Sequence, residues 1–208
     1  MFILGLTGSI GMGKSWGARC FRLLGVPVHD ADACVHNLMS TNGAATTKVE
    51  ALFPGVLNAQ GAVDRQKLGG FVLGDDDALK KLEALLHPMV RAEQHKFLQR
   101  CRRDNQRLVV LDIPLLFETG ARSRVDAVVV MTAPAWLQRQ RVLRRPNMNL
   151  EKFEAILDRQ TPDALKRQMA AFVVTTGGLR AQSLRQIQKI AKVARSLPGH
   201  TWSPHWGY

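Results

Sequence analysis

The chain contains few cysteines, few aromatic residues and no long apolar run. Its three cysteines, Cys20, Cys34 and Cys101, have neither paired nor metal-type spacing, so we expect packed thiols in a reducing, cytoplasmic compartment. No segment reaches the roughly 18 apolar residues of a membrane-spanning helix. The N-terminus lacks the basic region and the cleavage site of a signal peptide. These absences favour a cytoplasmic protein without a membrane partner.

Acidic residues are also scarce. Lysine and arginine number 29 against 17 aspartates and glutamates, which gives a formal net charge of +12. Such a charge suits a nucleic-acid partner, substrates that carry many phosphates, or simply a basic surface. Aromatic residues make up only 6% of the chain and are not interleaved with the arginines, as a base-stacking platform requires. No specific nucleic-acid partner is therefore expected.

Apolar residues are plentiful: 46% of the 208 residues are hydrophobic, which is ample for the core of a single domain. Short apolar runs are separated by amphipathic segments, a pattern typical of an α/β fold with buried parallel strands. The last ten or so residues fit no pattern. Their two histidines, His200 and His205, are too few for a metal site, and we expect them to be free in solvent.

The first apolar run leads directly into a phosphate-loop motif. Residues 8–15 match G-x-x-x-x-G-K-[ST]. Glycines let the backbone turn tightly and direct its N–H groups at phosphate oxygens. Lys14 can reach the β- and γ-phosphates, the Ser15 hydroxyl can ligate Mg²⁺, and a helix that begins at Lys14 presents its positive end to the same anion. The motif predicts that ATP and Mg²⁺ are held by Gly8, Gly11, Met12, Gly13, Lys14 and Ser15.

Trp16 directly follows the loop, near the place where a nucleotide would lie. Its ring can stack on the base, which makes it a candidate nucleotide-binding residue, or it can pack against the sheet. Packing is the preferred interpretation.

Two carboxylates, Asp30 and Asp32, follow the second apolar run. Ligands of open α/β sheets lie at the carboxyl ends of strands, so one carboxylate could accept a proton from an acceptor hydroxyl and the other could hold Mg²⁺ through water. Strand alternation would place both on the same side. The alternative is that one of them caps the following helix.

Later segments add further candidates. His87-Pro88 is expected to separate two helices, and His87 either meets an acceptor phosphate or caps the corner. Asp112 ends a buried run and is a candidate for the Mg²⁺-linked aspartate, although Ile113 would continue the strand. A helix near 134–145 contains four arginines that form either a solvated face or a lid over the triphosphate, and Arg145 is the preferred lid residue.

Together these segments resemble the dephospho-CoA kinase family over about residues 1–178. The segments that match in order are Gly5 to Ser15, Leu24-Gly25, Asp30-Ala31-Asp32, His87-Pro88, Ile113 to Glu118, and Gln138-x-x-Arg141 with Arg145. The phosphate loop by itself is not specific, because many NTPases contain it. The combination of Asp-Ala-Asp with Pro-Leu-Leu-Phe-Glu is much more specific.

The resemblance implies a three-layer P-loop fold with a five-stranded parallel sheet. Within one domain, 1–208, it implies a helical acceptor-binding subdomain at about 60–105 and a lid at about 135–165. The implied reaction transfers the γ-phosphate of ATP to the 3′-hydroxyl of the ribose of dephospho-CoA, which gives coenzyme A and ADP.

The resemblance also implies roles for individual residues. Asp32 matches the family's base and Arg145 its lid arginine, and with Lys14 they form the predicted catalytic set. Acceptor contacts are expected from Asp30, His87, Pro114, Leu115 and Leu116.

Two departures from the family pattern affect the nucleotide side: Trp16, and the turn at 174–177, Val-Thr-Thr-Gly, where the family usually has aspartate and asparagine near the adenine. Two alternatives to this function stay open. One is a kinase of another small hydroxyl acceptor, a nucleoside monophosphate or a sugar acid. The other is a basic nucleic-acid-binding NTPase. The sequence does not indicate an oligomeric state.

Overall fold

The apolar runs of the sequence form the strands of one sheet in the computed structural model, which describes residues 1–202. The five strands, in chain order, are β1 (Phe2–Thr7), β2 (Val28–Asp30), β3 (Leu108–Asp112), β4 (Ala127–Thr132) and β5 (Phe172–Thr175).

The strands lie in the order β2-β3-β1-β4-β5, so β1 is central. It pairs in parallel with β3, where Phe2 lies opposite Leu108, and with β4, where Leu4 lies opposite Ala127. All six residues of β1 are buried, as expected for a strand covered on both faces. The predicted α/β fold with a five-stranded parallel sheet is confirmed.

Helices connect the strands. In chain order they are α1 (Lys14–Leu23), α2 (Ala31–Leu38), α3 (Thr46–Leu52), α4 (Arg65–Val72), α5 (Asp76–Arg103), α6 (Ala135–Leu143), α7 (Leu150–Asp158), α8 (Asp163–Met169) and α9 (Arg180–Ser196), with a 3₁₀ turn at Ala121–Arg124. The short α8 was not predicted from the sequence.

The chain forms two compact units. Among the described residues, the first contains Met1–His29 and the chain from Gln99 to Trp202, and its core lies between the sheet, α1 and α9. The second is Asp30–Leu98, whose core is formed by apolar residues from α2 to α5. This helical unit begins earlier in the chain than the predicted subdomain at about 60–105. Its role in acceptor binding stays a prediction.

The predicted break at His87-Pro88 is wrong. Helix α5 runs from Asp76 to Arg103 with Pro88 inside it. Proline removes one helical hydrogen bond and strains the preceding turn, but it does not forbid a helix whose neighbouring residues are well packed. Leu82 and Leu86 are both buried in the core of the second unit, which holds this turn in place.

The start of the C-terminal tail is bound to the first unit. The backbone N–H groups of His200 and Thr201 donate to Asp126 Oδ1 at 2.7 Å and 2.8 Å. Burial acts to raise the pKa of Asp126, but these N–H groups and that of Ile3 outweigh it and lower the pKa overall. His200 is exposed, but its backbone is tethered, so the expectation that this part of the tail is free is wrong; His205 lies outside the described residues.

The cysteines and helices agree with the sequence-based expectations on two further points. Cys20, Cys34 and Cys101 are buried free thiols, and burial raises the pKa of each, to about 11 for Cys101. Within residues 1–202, no helix is both long enough and apolar enough to span a bilayer.

A buried ion pair joins the segment after β3 to α8. Lys166 Nζ lies 2.9 Å from Glu118 Oε1, with side-chain exposures of 0% and 15%. Burial acts to raise the pKa of Glu118, but the adjacent Lys166 ammonium group and the hydrogen bond from the Thr161 N–H lower it overall. The pair connects two segments that are distant in the sequence.

We predict that Lys166→Met lowers the free energy of unfolding by about 3–5 kcal/mol at neutral pH, because the variant leaves the Glu118 carboxylate buried and unpaired. Urea unfolding measures the change. Lys189→Met, at an exposed position of α9, is the matched control and should change stability by less than about 0.5 kcal/mol. Equal effects at both positions would contradict the prediction.

The stability difference between wild type and Lys166→Met should narrow as the pH falls from 7 to about 4. The lowered pKa of Glu118 means that its contribution in the wild type is fully present above the ordinary value of 4.5 and is lost as the pH falls through the lowered one. In the variant, protonation of Glu118 instead removes an unpaired buried charge. A difference that does not change with pH would show that Glu118 is not the partner that matters.

Candidate active site

The phosphate loop lies between the central strand β1 and helix α1. Gly11 and Gly13 have φ angles of 76° and 89°, in the left-handed region that favours glycine. A methyl group at Gly11 would lie 2.6 Å from Val142 Cγ2, and one at Gly13 would lie 2.9 Å from Thr176 Oγ1. Both the conformation and the surrounding atoms therefore require glycine at these positions.

Lys14 forms an ion pair with Asp112. Its Nζ lies 2.7 Å from Oδ1 of Asp112, whose side chain is 2% exposed. Strand β3 ends at Asp112, so the concern that Ile113 continues the strand and displaces the carboxylate is wrong. The pair holds the ammonium group of the loop lysine at the carboxyl end of the sheet.

Three side chains donate hydrogen bonds to consecutive carbonyl groups of the loop. Gln138 Nε2 donates to Ile10 O at 2.8 Å, Arg141 Nη1 to Gly11 O at 3.4 Å, and Thr176 Oγ1 to Met12 O at 2.9 Å. Arg141 also donates to the hydroxyl and the carbonyl oxygen of Thr176, at 2.9 Å and 2.7 Å. The loop is thus supported by α6 and by the turn after β5.

One backbone N–H of the loop also has a side-chain partner. The Ile10 N–H donates to Gln160 Oε1 at 3.1 Å. Gln160 follows α7, and the next N–H, that of Thr161, donates to Glu118 Oε1 at 2.8 Å. The buried Glu118–Lys166 pair therefore fixes the segment that supplies Gln160.

Ser15 and Trp16 lie in the first turn of α1. Ser15 is exposed. The Trp16 ring packs against the core of the first unit, its Nε1 donates to Ser183 Oγ at 2.9 Å, and the Arg180 guanidinium lies 5.2 Å from its ring centre. These contacts favour the packing alternative, and a contact between Trp16 and the nucleotide stays a prediction.

The Pro114–Leu116 segment follows β3 and is fixed to the phosphate strand. Thr7 Oγ1 donates to Pro114 O at 3.0 Å. Leu115 is 41% exposed, whereas Leu116 is fully buried beside Gly5. In this structure Leu116 therefore has a packing role, and Leu115 is the apolar side chain of the segment that a ligand can reach.

Arg141 and Arg145 have different surroundings on α6 and just after it. Arg141 is half-buried and is bonded to the loop and to Thr176, whereas Arg145 is exposed. An exposed arginine beyond the helix end suits the predicted lid contact, which stays a prediction.

Asp30, Asp32 and His87 lie in the second unit. Asp30 caps α2, where its Oδ1 accepts a hydrogen bond from the Ala33 N–H at 3.0 Å. Asp32 is an exposed residue in the first turn of α2. Because it is helical, the strand-alternation argument that put both carboxylates on one side is wrong. His87 is exposed on α5, and the roles of all three residues stay predictions.

The second unit also contains an open cavity of about 480 Å³. It is lined by polar and apolar residues: His36, Met39, Ser40, Thr41, Asn58, Ala62, Val63, Asp64, Arg65 and Gln66. Arg65 Nη2 lies 3.1 Å from His36 Nδ1.

Sequence reasoning missed most of the residues that support the loop. Thr176 and Gln160 were not assigned to it. Gln138 appeared only as part of a resemblance, and Arg141 appeared there and among the four arginines of the predicted lid helix. The one local signal is that Gln138 and Arg141 lie three residues apart on α6, which places them on the same helix face.

Comparison with known proteins agrees with this geometry. The family model CoaE, dephospho-CoA kinase, matches residues 2–181. The chain belongs to the dephospho-CoA kinase family. A dephospho-CoA kinase of Mesorhizobium japonicum is 59% identical over 182 residues, which cover 87% of this chain and 91% of that protein. One of Rhodospirillum rubrum is 51% identical over 194 residues, which cover 93% and 92%.

Solved structures of similar proteins agree. A crystal structure from Thermus thermophilus has a TM-score of 0.80 at 34% identity and covers 95% of this chain and 98% of its own. A dephospho-CoA kinase from Campylobacter jejuni has a TM-score of 0.68 at 28% identity, with coverages of 91% and 95%. The family resemblance found in the sequence is confirmed.

We predict that Gly11→Ala lowers the affinity for ATP about tenfold or more, because alanine strains a left-handed backbone and its methyl group meets Val142. Equilibrium titration measures the affinity. Gly70→Ala, in α4 where a methyl group meets nothing within 4 Å, is the control and should leave binding unchanged. Unchanged affinity in Gly11→Ala would contradict the assignment of the loop.

Proposed function

We propose that this protein transfers the γ-phosphate of ATP to the ribose 3′-hydroxyl of dephospho-CoA and releases coenzyme A and ADP, the last step of coenzyme A biosynthesis. The observation that carries the proposal is a phosphate loop with a charge-paired lysine in a chain that matches the dephospho-CoA kinase family over residues 2–181. The named relatives, at 51–59% identity, support the same acceptor.

The phosphate side of the reaction depends on fixed positive groups. The N-terminus of α1 and the N–H groups of the loop bind the triphosphate, and Lys14 moves from Asp112 to the transferring phosphate. Phosphoryl transfer leaves little covalent work to the protein, so positioning and electrostatic stabilisation supply most of the rate gain. Arg145 reaches over the triphosphate as the lid arginine.

The residues at the loop fit Mg²⁺. The exposed hydroxyl of Ser15 and the carboxylate of Asp112 are hard oxygen donors of the kind that this ion prefers. Mg²⁺ usually keeps several waters and binds through few protein groups plus substrate phosphates, so a site with few protein ligands suits it. When bound, the ion neutralises charge on the phosphates; Ser15 would hold it directly, and Asp112 through water.

Acceptor recognition belongs to the second unit and to the Pro114–Leu116 segment in this proposal. Arg65, which lines the cavity of the second unit, offers a guanidinium group, and guanidinium groups bind phosphates with paired hydrogen bonds. Dephospho-CoA carries a diphosphate that such a group can hold. His87 and Leu115, both exposed, add contacts to the acceptor.

Asp32 takes the proton from the ribose hydroxyl. Asp30 holds the first turn of α2 through its bond to the Ala33 N–H, and this role in helix capping makes it the less suitable base. Asp32 is exposed in the same turn.

The function is tested by an ADP-release assay with ATP and Mg²⁺ that compares dephospho-CoA with adenosine monophosphate, gluconate, shikimate and no acceptor. Turnover is expected with dephospho-CoA and not with the other acceptors. Equal or greater turnover with another acceptor would overturn the acceptor assignment and leave the phosphate loop intact. A parallel arm with added nucleic acid tests the remaining alternative.

We predict that Lys14→Ala lowers kcat roughly 10²–10³-fold, because it removes the charge that stabilises the transferring phosphate. Circular dichroism serves as the fold control. Near-normal turnover in this variant would contradict the role assigned to Lys14.

We further predict that Asp32→Asn lowers kcat roughly 10²–10⁴-fold, the usual contribution of a general base. Asp30→Asn is the matched control, since asparagine also caps helices and keeps the bond to the Ala33 N–H. If the larger loss falls on Asp30→Asn, the base is Asp30.

A further inference from the structure

The peptide groups around Ile10 have an orientation that their neighbours fix. The N–H of Met12 donates to Ser9 O at 3.1 Å, which closes a turn with Ile10 and Gly11 at its centre. The φ of Gly11 is 76°, and a positive φ at the third residue is the mark of a type II turn. Types I and II differ in which way the central peptide group faces. Here that group is the Ile10 carbonyl with the Gly11 N–H.

The side chain that holds this peptide group is Gln138. Its Nε2 donates to Ile10 O at 2.8 Å, and the side chain is buried. A trans peptide directs its C=O and its N–H to opposite sides. A carbonyl held toward Gln138 therefore places the Gly11 N–H on the side away from α6, where it can donate to a phosphate. In the same way, the Thr176 hydroxyl donates to Met12 O, and this bond directs the N–H of the same peptide group, that of Gly13, to the opposite side.

Gln160 fixes the other end of Ile10. Its Oε1 accepts the Ile10 N–H at 3.1 Å, so one residue of the loop has both its peptide N–H and its carbonyl bonded to glutamine side chains. The polarity of the two bonds is opposite: Gln160 must accept and Gln138 must donate. The Thr161 N–H bond to Glu118 holds Gln160 in place.

We propose that Gln138 and Gln160 are positioning residues for nucleotide binding: they lock the peptide groups on either side of Ile10, so that the Gly11 N–H faces the phosphates and the Ile10 carbonyl does not. The inference rests on the proposed function only in taking a nucleotide phosphate as the ligand of the loop. A peptide group facing the other way would direct a carbonyl oxygen at an anion, which weakens binding.

Opposite polarity gives a sharp test with four variants: Gln138→Glu, Gln138→Met, Gln160→Glu and Gln160→Met. Glutamate keeps the acceptor and loses the donor, and methionine loses both at similar volume. The two glutamate variants add the same charge, and the two methionine variants remove the same amide group. The pair of glutamate variants therefore controls for the repulsion between the new carboxylate and the nucleotide.

The readout is the affinity for ADP, measured by calorimetry without an acceptor, together with KM for ATP and for dephospho-CoA. Each lost bond should weaken ADP binding about threefold to tenfold, the usual range for one hydrogen bond. We expect Gln160→Glu to bind ADP near the wild-type level and Gln160→Met to bind it more weakly. Gln138→Met should also bind weakly, and Gln138→Glu weakest of all. KM for ATP should rise while KM for dephospho-CoA stays unchanged.

Gln188→Glu, at an exposed position of α9, is the matched control and should leave ADP binding and stability unchanged. A merely structural role predicts that affinity follows melting temperature and that the two glutamate variants behave alike, and that result would overturn the proposal. Gln138 is buried, so Gln138→Glu can fail to fold. The half-exposed Gln160 pair then decides: equal affinities in Gln160→Glu and Gln160→Met also overturn it. Wild-type protein that binds no ADP would instead refute the proposed function.

Discussion

The direction of the peptide groups in the phosphate loop is the constraint on which the nucleotide site depends. An anion can be bound by backbone N–H groups only if the neighbouring carbonyl oxygens face away from it. Glycine permits the backbone angles but does not select the direction of each peptide. Selection comes from donors outside the motif: Gln138, Arg141 and Thr176 bind three consecutive carbonyls. The motif is therefore completed by residues that lie 128 to 164 positions further along the chain.

The segment after β3 has a second organising role, because both carboxylates that pair with buried or half-buried lysines lie at its ends. Asp112 binds the loop lysine, and Glu118 binds Lys166. Glu118 also accepts a hydrogen bond from the Thr161 N–H beside Gln160. The segment is therefore connected to the phosphate loop twice, through Asp112 and Lys14 and through Glu118 and the chain at Gln160. The same segment includes the exposed Leu115, which we propose as an acceptor contact. In that proposal a change in the backbone of the segment alters phosphate and acceptor contacts together, which suits a reaction in which both substrates must be aligned.

The sequence was sufficient to predict what local patterns determine: the buried strands, the phosphate loop, the end of the chain's central strand and the class of fold. It was insufficient where tertiary packing overrides a local rule. Pro88 is expected to break a helix, yet the buried leucines of the preceding turns, Leu82 and Leu86, keep α5 continuous. Ile113 is expected to displace Asp112, yet the strand ends at the aspartate, which lies opposite Leu6 of β1. Gln160 carries no local mark of its role, because its partner is a single N–H far away in the chain.

The turn after β5 shows how a departure from the family pattern can be accommodated. Thr176 stands in the region where the family usually has acidic and amide residues, a change that puts recognition of the base in question. In the structure its hydroxyl accepts from Arg141 and donates to Met12 O at the same time. A hydroxyl can do both, whereas an ionised carboxylate can only accept. An aspartate at this position would leave the Met12 carbonyl without its donor, so the hydroxyl is matched to the loop that it supports. The turn at 174–177 is thus tied to the phosphate loop, and the Thr176 hydroxyl supports that loop in a way that an acidic residue could not.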